Sequence, residues 1–240
     1  IHLSRKYIIL TDFWKRKKYI SNFKLLDKIG FGGMGTIYKA NHLIDKKNTV
    51  AIKILNNELF NDDISRKRFK QEAVIIDQLD HPNIVKVIER GISGDNLYMA
   101  MELLEGITLA EKIEKENVIS FRDIQKIGIQ ILDAIEKVHG RNIIHRDLKP
   151  ENVMLCVQDG NNEFVKLLDF GLATMQYQTR LTQTGVVIGT INYMSPEQIT
   201  ESRTSKASDI YSIGVMFYEM ACGRKPFTGD TVVALMKQII

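Results

Sequence analysis

The sequence predicts an α+β protein: a small, mainly antiparallel β lobe with one helix, followed by a larger, mainly α lobe. Two observations carry this. From Phe23 to about Met101 short apolar runs recur, at Lys24–Ile29, Thr36–Ala40, Thr49–Leu55, Ile84–Glu89 and Asn96–Glu102, punctuated by Gly, Asn and Asp. After Glu105 the apolar residues instead fall at helical spacing. A division of this kind leads us to expect a ligand site in a cleft between lobes.

Taken in order, residues 1–22 hold a basic cluster, Lys15-Arg16-Lys17-Lys18, beside Trp14. We read them as a solvated linker or the remnant of a preceding domain; a strip touching anionic lipid or a neighbouring domain is the alternative. The glycine-rich stretch Gly30-Phe31-Gly32-Gly33-Met34-Gly35 runs into Thr36–Ala40, which reads as a strand. That makes it a hairpin, with bare backbone able to lie close over phosphates, and not the strand-to-helix turn of a dinucleotide fold. In Val50-Ala51-Ile52-Lys53 the lysine faces away from Val50 and Ile52. Between Ile64 and Leu79 a helix is predicted from Phe69, Ala73, Ile76 and Leu79. Glu72 lies on that apolar stripe, where a carboxylate is costly unless a cation such as Lys53 meets it.

Beyond Glu105, Ser120 with Asp123 reads as a capping box. It opens a helix whose apolar face is Ile124, Ile127, Ile131, Ile135 and Val138, closed by Gly140. A second helix, about Asp209 to Cys222, is apolar nearly all round (Ile210, Ile213, Val215, Met216, Phe217, Met220), which predicts a place in the middle of its domain. The start at Ile1 and the end inside the helix-like run Val232–Ile240 lead us to expect a fragment.

Composition narrows the class. The 240 residues carry 33 Lys+Arg and 29 Asp+Glu, a formal charge of +4, with 44% hydrophobic and 26% charged residues. This excludes wholesale disorder and gives no sign of a nucleic-acid partner. No apolar run approaches the roughly 20 residues that cross a bilayer. Cys156 and Cys222 have no metal-ligand or disulfide spacing; both are flanked by apolar residues and are expected as buried, reduced thiols in the cytoplasm.

The strongest signal is His145-Arg146-Asp147-Leu148-Lys149-Pro150-Glu151-Asn152, between the capped helix and a strand pair, Val153–Val157 and Phe164–Leu168. Asp147 could accept a hydroxyl proton, Asn152 offers a neutral oxygen to a hard cation, and Lys149 can lie beside a transferring phosphate. Asp169-Phe170-Gly171 adds a metal-binding carboxylate at a strand end.

With these motifs in this order, the chain resembles the eukaryotic-type protein kinases from about Phe23 to Ile240, and in wording the bacterial Ser/Thr members of that family. The resemblance implies an N-lobe at 23–101, a hinge at 102–105 and a C-lobe at 106–240, truncated at its end. It implies ATP and Mg²⁺ as cofactors and protein Ser/Thr hydroxyls as acceptors. Gly30, Gly32, Gly33 and Gly35 would cover the phosphates, and Lys53, paired to Glu72, would contact them. Ile29, Ile37, Ala51 and Met154 would sandwich the adenine. Met101 would be the gatekeeper, with Glu102 and Leu104 binding the adenine edge through their backbone. Asn152 and Asp169 would hold the metal, Asp147 would be the catalytic base, and Lys149 marks the Ser/Thr branch. Arg146 would form a basic pocket for a phosphorylated activation loop. Autophosphorylation is expected at Thr182 and Thr184, with a homodimer as the arrangement for reaction in trans. Ser195-Pro196-Glu197 resembles the end of the activation segment, with Ser195 in place of the commoner Ala; Glu197 has no partner visible in the sequence. Asp209 and Gly214 match the start of the helix that anchors the catalytic loop. The alternative is a nucleotide-binding pseudokinase, and a small-molecule kinase is weaker still. Any membrane anchor of the parent would lie outside this chain.

Overall fold

The structure is a computed structural model that describes residues 19–32, 35–45, 48–55, 79–158, 161–169, 191–201 and 203–240. The expected helix at 64–79 with Glu72, together with Gly33, Phe170, Gly171, Thr182 and Thr184, lies outside these residues, save for Leu79. The described residues form two compact units, one of 19–55 and 86–104, the other of 79–85 and 105–240.

The first unit is a six-stranded antiparallel sheet of β1 (Tyr19–Ile20), β2 (Phe23–Gly32), β3 (Gly35–His42), β4 (Thr49–Leu55), β5 (Val87–Ser93) and β6 (Asn96–Glu102), in the order β1-β2-β3-β4-β6-β5. The glycine-rich stretch is a hairpin as expected, with Gly32 opposite Gly35. Val50 and Ile52 project from β4 into a core with Phe23, Leu25, Ala40, Tyr98 and Ala100. By the two-residue period of a strand, Ala51 and Lys53 therefore occupy the opposite face. The fourth expected strand begins at Val87, three residues later than its apolar pattern suggests. Ile84 instead makes an isolated parallel bridge to Leu167 in the second unit, where the Val85 N–H also donates to the Leu167 carbonyl at 3.0 Å.

The second unit opens on β7 (Gly106–Thr108) and α1 (Leu109–Glu116), then α2 (Phe121–Gly140), a 3₁₀ turn (Pro150–Asn152), β8 (Val153–Gln158) and β9 (Asn161–Leu167). After these come α3 (Pro196–Thr200), α4 (Lys206–Cys222) and α5 (Val232–Ile239). Three strands pair in the order β7-β8-β9. β7 is too short and too exposed to leave an alternating pattern. At the start of α2 the Ser120 hydroxyl accepts from the Asp123 N–H at 3.2 Å and donates to its carboxylate at 2.7 Å. Only half of the expected capping box forms, because an aspartate is one methylene shorter than the Glu that usually reaches the cap backbone. Ile127, Ile131, Ala134, Ile135 and Val138 are buried along one face of α2. The 79–85 segment is clamped to this unit through Asn83, which donates to Gln130 Oε1 at 3.0 Å and to the Val165 carbonyl at 2.8 Å.

Two expectations about α4 need correction. It begins at Lys206, three residues early, because Ser205 and Ser208 close a capping box there. Nor is it covered all round: Ile213, Met216 and Met220 are buried, but Ile210 and Tyr218 are 50% and 39% exposed, on a stripe with Gly214 and Ala221. Gly128 lets α2 approach this helix closely, since a Cβ there would lie 2.8 Å from the Phe217 ring. Cys156 is buried as expected, but Cys222, in the last turn of α4, is exposed. No helix among the described residues is long and apolar enough to cross a membrane.

Candidate active site

The second unit builds the loop His145–Asn152 around a buried carboxylate. Asp209, in the first turn of α4 and 1% exposed, accepts three hydrogen bonds. Its Oδ2 takes the His145 N–H at 2.9 Å and His139 Nε2 at 2.7 Å, and its Oδ1 takes the Arg146 N–H at 2.9 Å. Arg146 has φ +71° and Asp169 φ +55°, conformations that non-glycine residues reach only when their surroundings over-determine them. For Arg146 the bond to Asp209 supplies part of that constraint. His139 carried no signal in the sequence beyond its place in the last turn of α2; only the packing of α2 against α4 brings it to Asp209.

His145 is fully buried, its Nε2 on the Leu168 carbonyl at 3.0 Å and its Nδ1 accepting the Asp147 N–H at 3.4 Å. These bonds require the neutral Nε2–H tautomer. Burial pushes the imidazole pKa down, against the pull of nearby Asp209 and Asp147. The unfolded chain therefore takes up this proton at a higher pH than the folded one. The stability that neutral His145 contributes is complete above the ordinary value of 6.5 and is lost as pH falls through the lowered folded value. His145→Gln keeps a neutral donor and cannot titrate. Thermal unfolding below pH ~6.5 should be less pH-sensitive in this variant than in the parent; identical profiles would show that His145 does not titrate with unfolding.

Asp147 is 5% exposed and its carboxylate is held from two sides. Asn152 Nδ2 donates to Oδ2 at 2.9 Å and to the Asp147 carbonyl at 2.7 Å. Lys149 Nζ lies 3.1 Å from Oδ1 and 3.0 Å from Oδ2. Because both partners of the Asn152 amide are acceptors, its nitrogen must face Asp147, leaving Oδ1 as the acceptor on the other branch. The Leu168 N–H donates to the Asn152 carbonyl at 2.9 Å, so the chain reaches Asp169 directly beside Asn152. A neutral amide oxygen and one carboxylate are the sparse, hard donor set that suits Mg²⁺ sharing its shell with water and phosphate oxygens. Among the described residues there is no group of three or more His, Cys, Asp or Glu that could hold a metal ion.

Of the remaining sequence-predicted residues, Met154 is half-buried on β8 opposite Thr108 and Lys166, in the same unit. The others belong to the strand unit. Lys53 is 3% exposed on β4, level with Ile37 and Met99 in the neighbouring strands. Ala51 is level with Met101, and Gly30 with Ile37. Ile29 is 49% exposed. The Glu102 N–H is spent on the Lys86 carbonyl at 3.0 Å, and Leu104 is the last residue of the unit.

These features agree with what the comparisons find. The protein kinase domain family matches residues 23–240. The chain belongs to this family. It is 37% identical over 219 residues to the probable serine/threonine-protein kinase PknB of Lactococcus lactis, covering 91% of this chain and 34% of that protein. It is 38% identical over 219 residues to the serine/threonine-protein kinase PrkC of Bacillus subtilis, covering 91% of this chain and 33% of that protein. The crystal structure of Rad53 1-466 in complex with AMP-PNP superposes with a TM-score of 0.75 at 29% identity, covering 95% of this chain and 56% of that one. The kinase domain thus spans about a third of the length of these curated relatives.

The structure adds one partner that the sequence did not show. Glu197, for which the sequence showed no partner, accepts from the Ser208 hydroxyl at 2.6 Å. That bond holds its carboxyl below the ordinary carboxylate pKa. The α3 helix that carries it is capped by Ser195, whose hydroxyl and backbone N–H both donate to Gln198 Oε1.

Proposed function

We propose that this kinase domain transfers the γ-phosphoryl group of ATP to Ser and Thr hydroxyls of proteins. The observation that carries the reading is the Asp147 carboxylate, fixed between Lys149 and Asn152 on a loop hung from Asp209. The acceptor oxygen attacks the γ-phosphorus and its proton passes to Asp147. The bond from the γ-phosphorus to the β,γ-bridging oxygen breaks, and ADP leaves with that electron pair. Lys149, already beside Asp147, offsets charge on the transferring group. Asn152 Oδ1 and Asp169 would hold Mg²⁺, which when bound neutralises phosphate oxygens. Lys53 with Glu72 positions the α- and β-phosphates; Ile29, Ile37, Ala51 and Met154 enclose the adenine, and Glu102 and Leu104 meet its edge beside Met101. Relatives bearing the Ser/Thr kinase name, together with Lys149, support Ser and Thr over Tyr as acceptors. Thr182 and Thr184 are the proposed autophosphorylation sites, modified in trans by a second copy.

The acceptor assignment is tested by incubating the protein with ATP·Mg²⁺ and matched Ser, Thr and Tyr peptides. Phosphate on Ser and Thr, and at Thr182 and Thr184 by phosphopeptide mapping, is expected; phosphate confined to Tyr would overturn the reading.

The glycine-rich hairpin allows a sharper test. A Cβ on Gly35, at φ +154°, would lie 2.0 Å from the Ile54 carbonyl oxygen, so the fold itself requires this glycine. A Cβ on Gly30 would meet only the Ile37 side chain, at an ordinary 3.5 Å. Gly35→Ala should therefore cost about 3 kcal/mol of stability. Gly30→Ala should leave the melting temperature unchanged and weaken ATP binding. Equal effects of the two on melting temperature would contradict this division.

A further inference from the structure

In the first unit a side chain takes the place of a main-chain acceptor. Two directly opposed residues of an antiparallel ladder can exchange both of their N–H···O bonds. One step beyond the pair Val87–Met101, Lys86 lies level with Glu102. Half of the exchange is kept there, since the Glu102 N–H donates to the Lys86 carbonyl at 3.0 Å. The other half goes to the side chain: the Lys86 N–H donates to Glu102 Oε1 at 2.8 Å. One residue thus clasps the Lys86 backbone through its own N–H and its carboxylate.

The clasp sits at a junction. The segment Lys86–Leu104 enters the first unit at Lys86 and leaves it just after Glu102, so the two bonds join its ends. On the other side Glu102 is level with Val50, next to the pair Ala51–Met101. A register shift between Val87 and Glu89 falls beside it, a local irregularity of the kind that re-aims backbone groups. In a regular pair the Lys86 N–H would draw on the main-chain carbonyl of residue 102. With the carboxylate taking that N–H, the carbonyl is not needed for it and can turn a lone pair to a ligand donor.

Resting on the kinase reading above, in which the Glu102 backbone meets the adenine edge, we propose that the Glu102 carboxylate is a positioning group that sets base selectivity. By holding the Lys86 N–H it keeps the residue 102 carbonyl turned to the nucleotide, where that carbonyl accepts from the adenine 6-amino group. A purine without this amino group leaves the carbonyl with no donor, and one with an oxygen in its place sets two acceptors against each other. Shortening the side chain hands the Lys86 N–H back to the main-chain carbonyl, because a backbone donor seeks an acceptor. The carbonyl then turns from the base, and the amino group loses its partner. A side chain that merely supported the sheet would affect all purines alike.

The test uses the full-length protein with a Ser peptide and two nucleotides, ATP and purine riboside triphosphate, which lacks the 6-amino group. The parent should favour ATP by about tenfold in kcat/KM, with the difference carried by KM. Glu102→Ala should bring that ratio close to unity by raising the KM for ATP and not the KM for the analogue. Glu102→Gln keeps an acceptor at the same reach and should retain the preference. Glu102→Asp, a methylene shorter, should behave as the alanine variant does, and it decides if Glu102→Ala does not fold. A parent without preference, a preference that survives the short side chains, equal KM rises for both nucleotides, or equal loss in Glu102→Gln overturns the proposal while the kinase reading stands. Should no phosphate be transferred, the kinase reading fails, and calorimetric binding of the two nucleotides decides separately. ATP-selective binding lost in Glu102→Ala and kept in Glu102→Gln upholds the positioning role; any other binding result overturns it.

Discussion

Asp147→Asn is expected to lower kcat by a factor of about 10²–10⁴ while leaving the fold and ATP affinity intact. The substitution preserves shape, and the bond from Asn152 Nδ2 to the residue 147 carbonyl does not depend on the side chain. What disappears is the negative charge that receives the hydroxyl proton and that Lys149 approaches at 3.0 Å. Lys149 then loses its counter-ion but, with its own side chain 18% exposed, it can turn to water at little cost. Stopped-flow kinetics with a Ser peptide, alongside ATP titration and thermal melting, separates these effects. A kcat within tenfold of the parent would remove Asp147 from the role of base. A large fall in melting temperature would show that its charge is needed for folding instead.

Asp209→Ala should have the largest effect on stability, about 3–5 kcal/mol, and should abolish transfer as well. Three donors converge on this one buried carboxylate, and two of them are backbone N–H groups with no freedom to look elsewhere. Removing it strands the His145 and Arg146 amides inside the protein. It also releases Arg146 from a conformation at φ +71° that the hydrogen bond helps to enforce. Asp209→Asn retains one acceptor oxygen and should fall between the two. Native-state hydrogen exchange reads the effect locally, as faster exchange at residues 145 and 146 than across α2. Uniform acceleration over the whole unit would mean that Asp209 supports the domain generally and not the loop.

Much of this architecture was legible in the sequence because it is local. The hairpin follows from glycines running directly into a strand pattern, and α2 from its apolar spacing between Ser120 and Gly140. The string His145–Asn152 carries its chemistry within eight residues. What escaped depends on where elements meet. His139 reaches Asp209 across 70 residues, a contact created by the packing of α2 on α4. Ser208 was unremarkable until the α4 cap turned its hydroxyl to Glu197, and that same cap moved the helix start to Lys206. An all-round apolar pattern could not reveal that Ile210 and Tyr218 lie on an uncovered stripe, since composition does not say which face finds a neighbour. For the same reason apolar flanks misled at Cys222, which sits where α4 ends. Ile84 reads as strand because it is indeed bridged, but to Leu167 and not within the six-stranded sheet.

The most direct measurement is intact mass after incubation with ATP·Mg²⁺ and a Ser/Thr protein acceptor, comparing the parent protein with Asp147→Asn. Phosphate gained by the acceptor with the parent and absent with the variant is the result expected if the Asp147 loop performs transfer. A parent protein that is folded and binds ATP, yet adds phosphate neither to the acceptor nor to itself, would contradict that account and leave a nucleotide-binding module in its place.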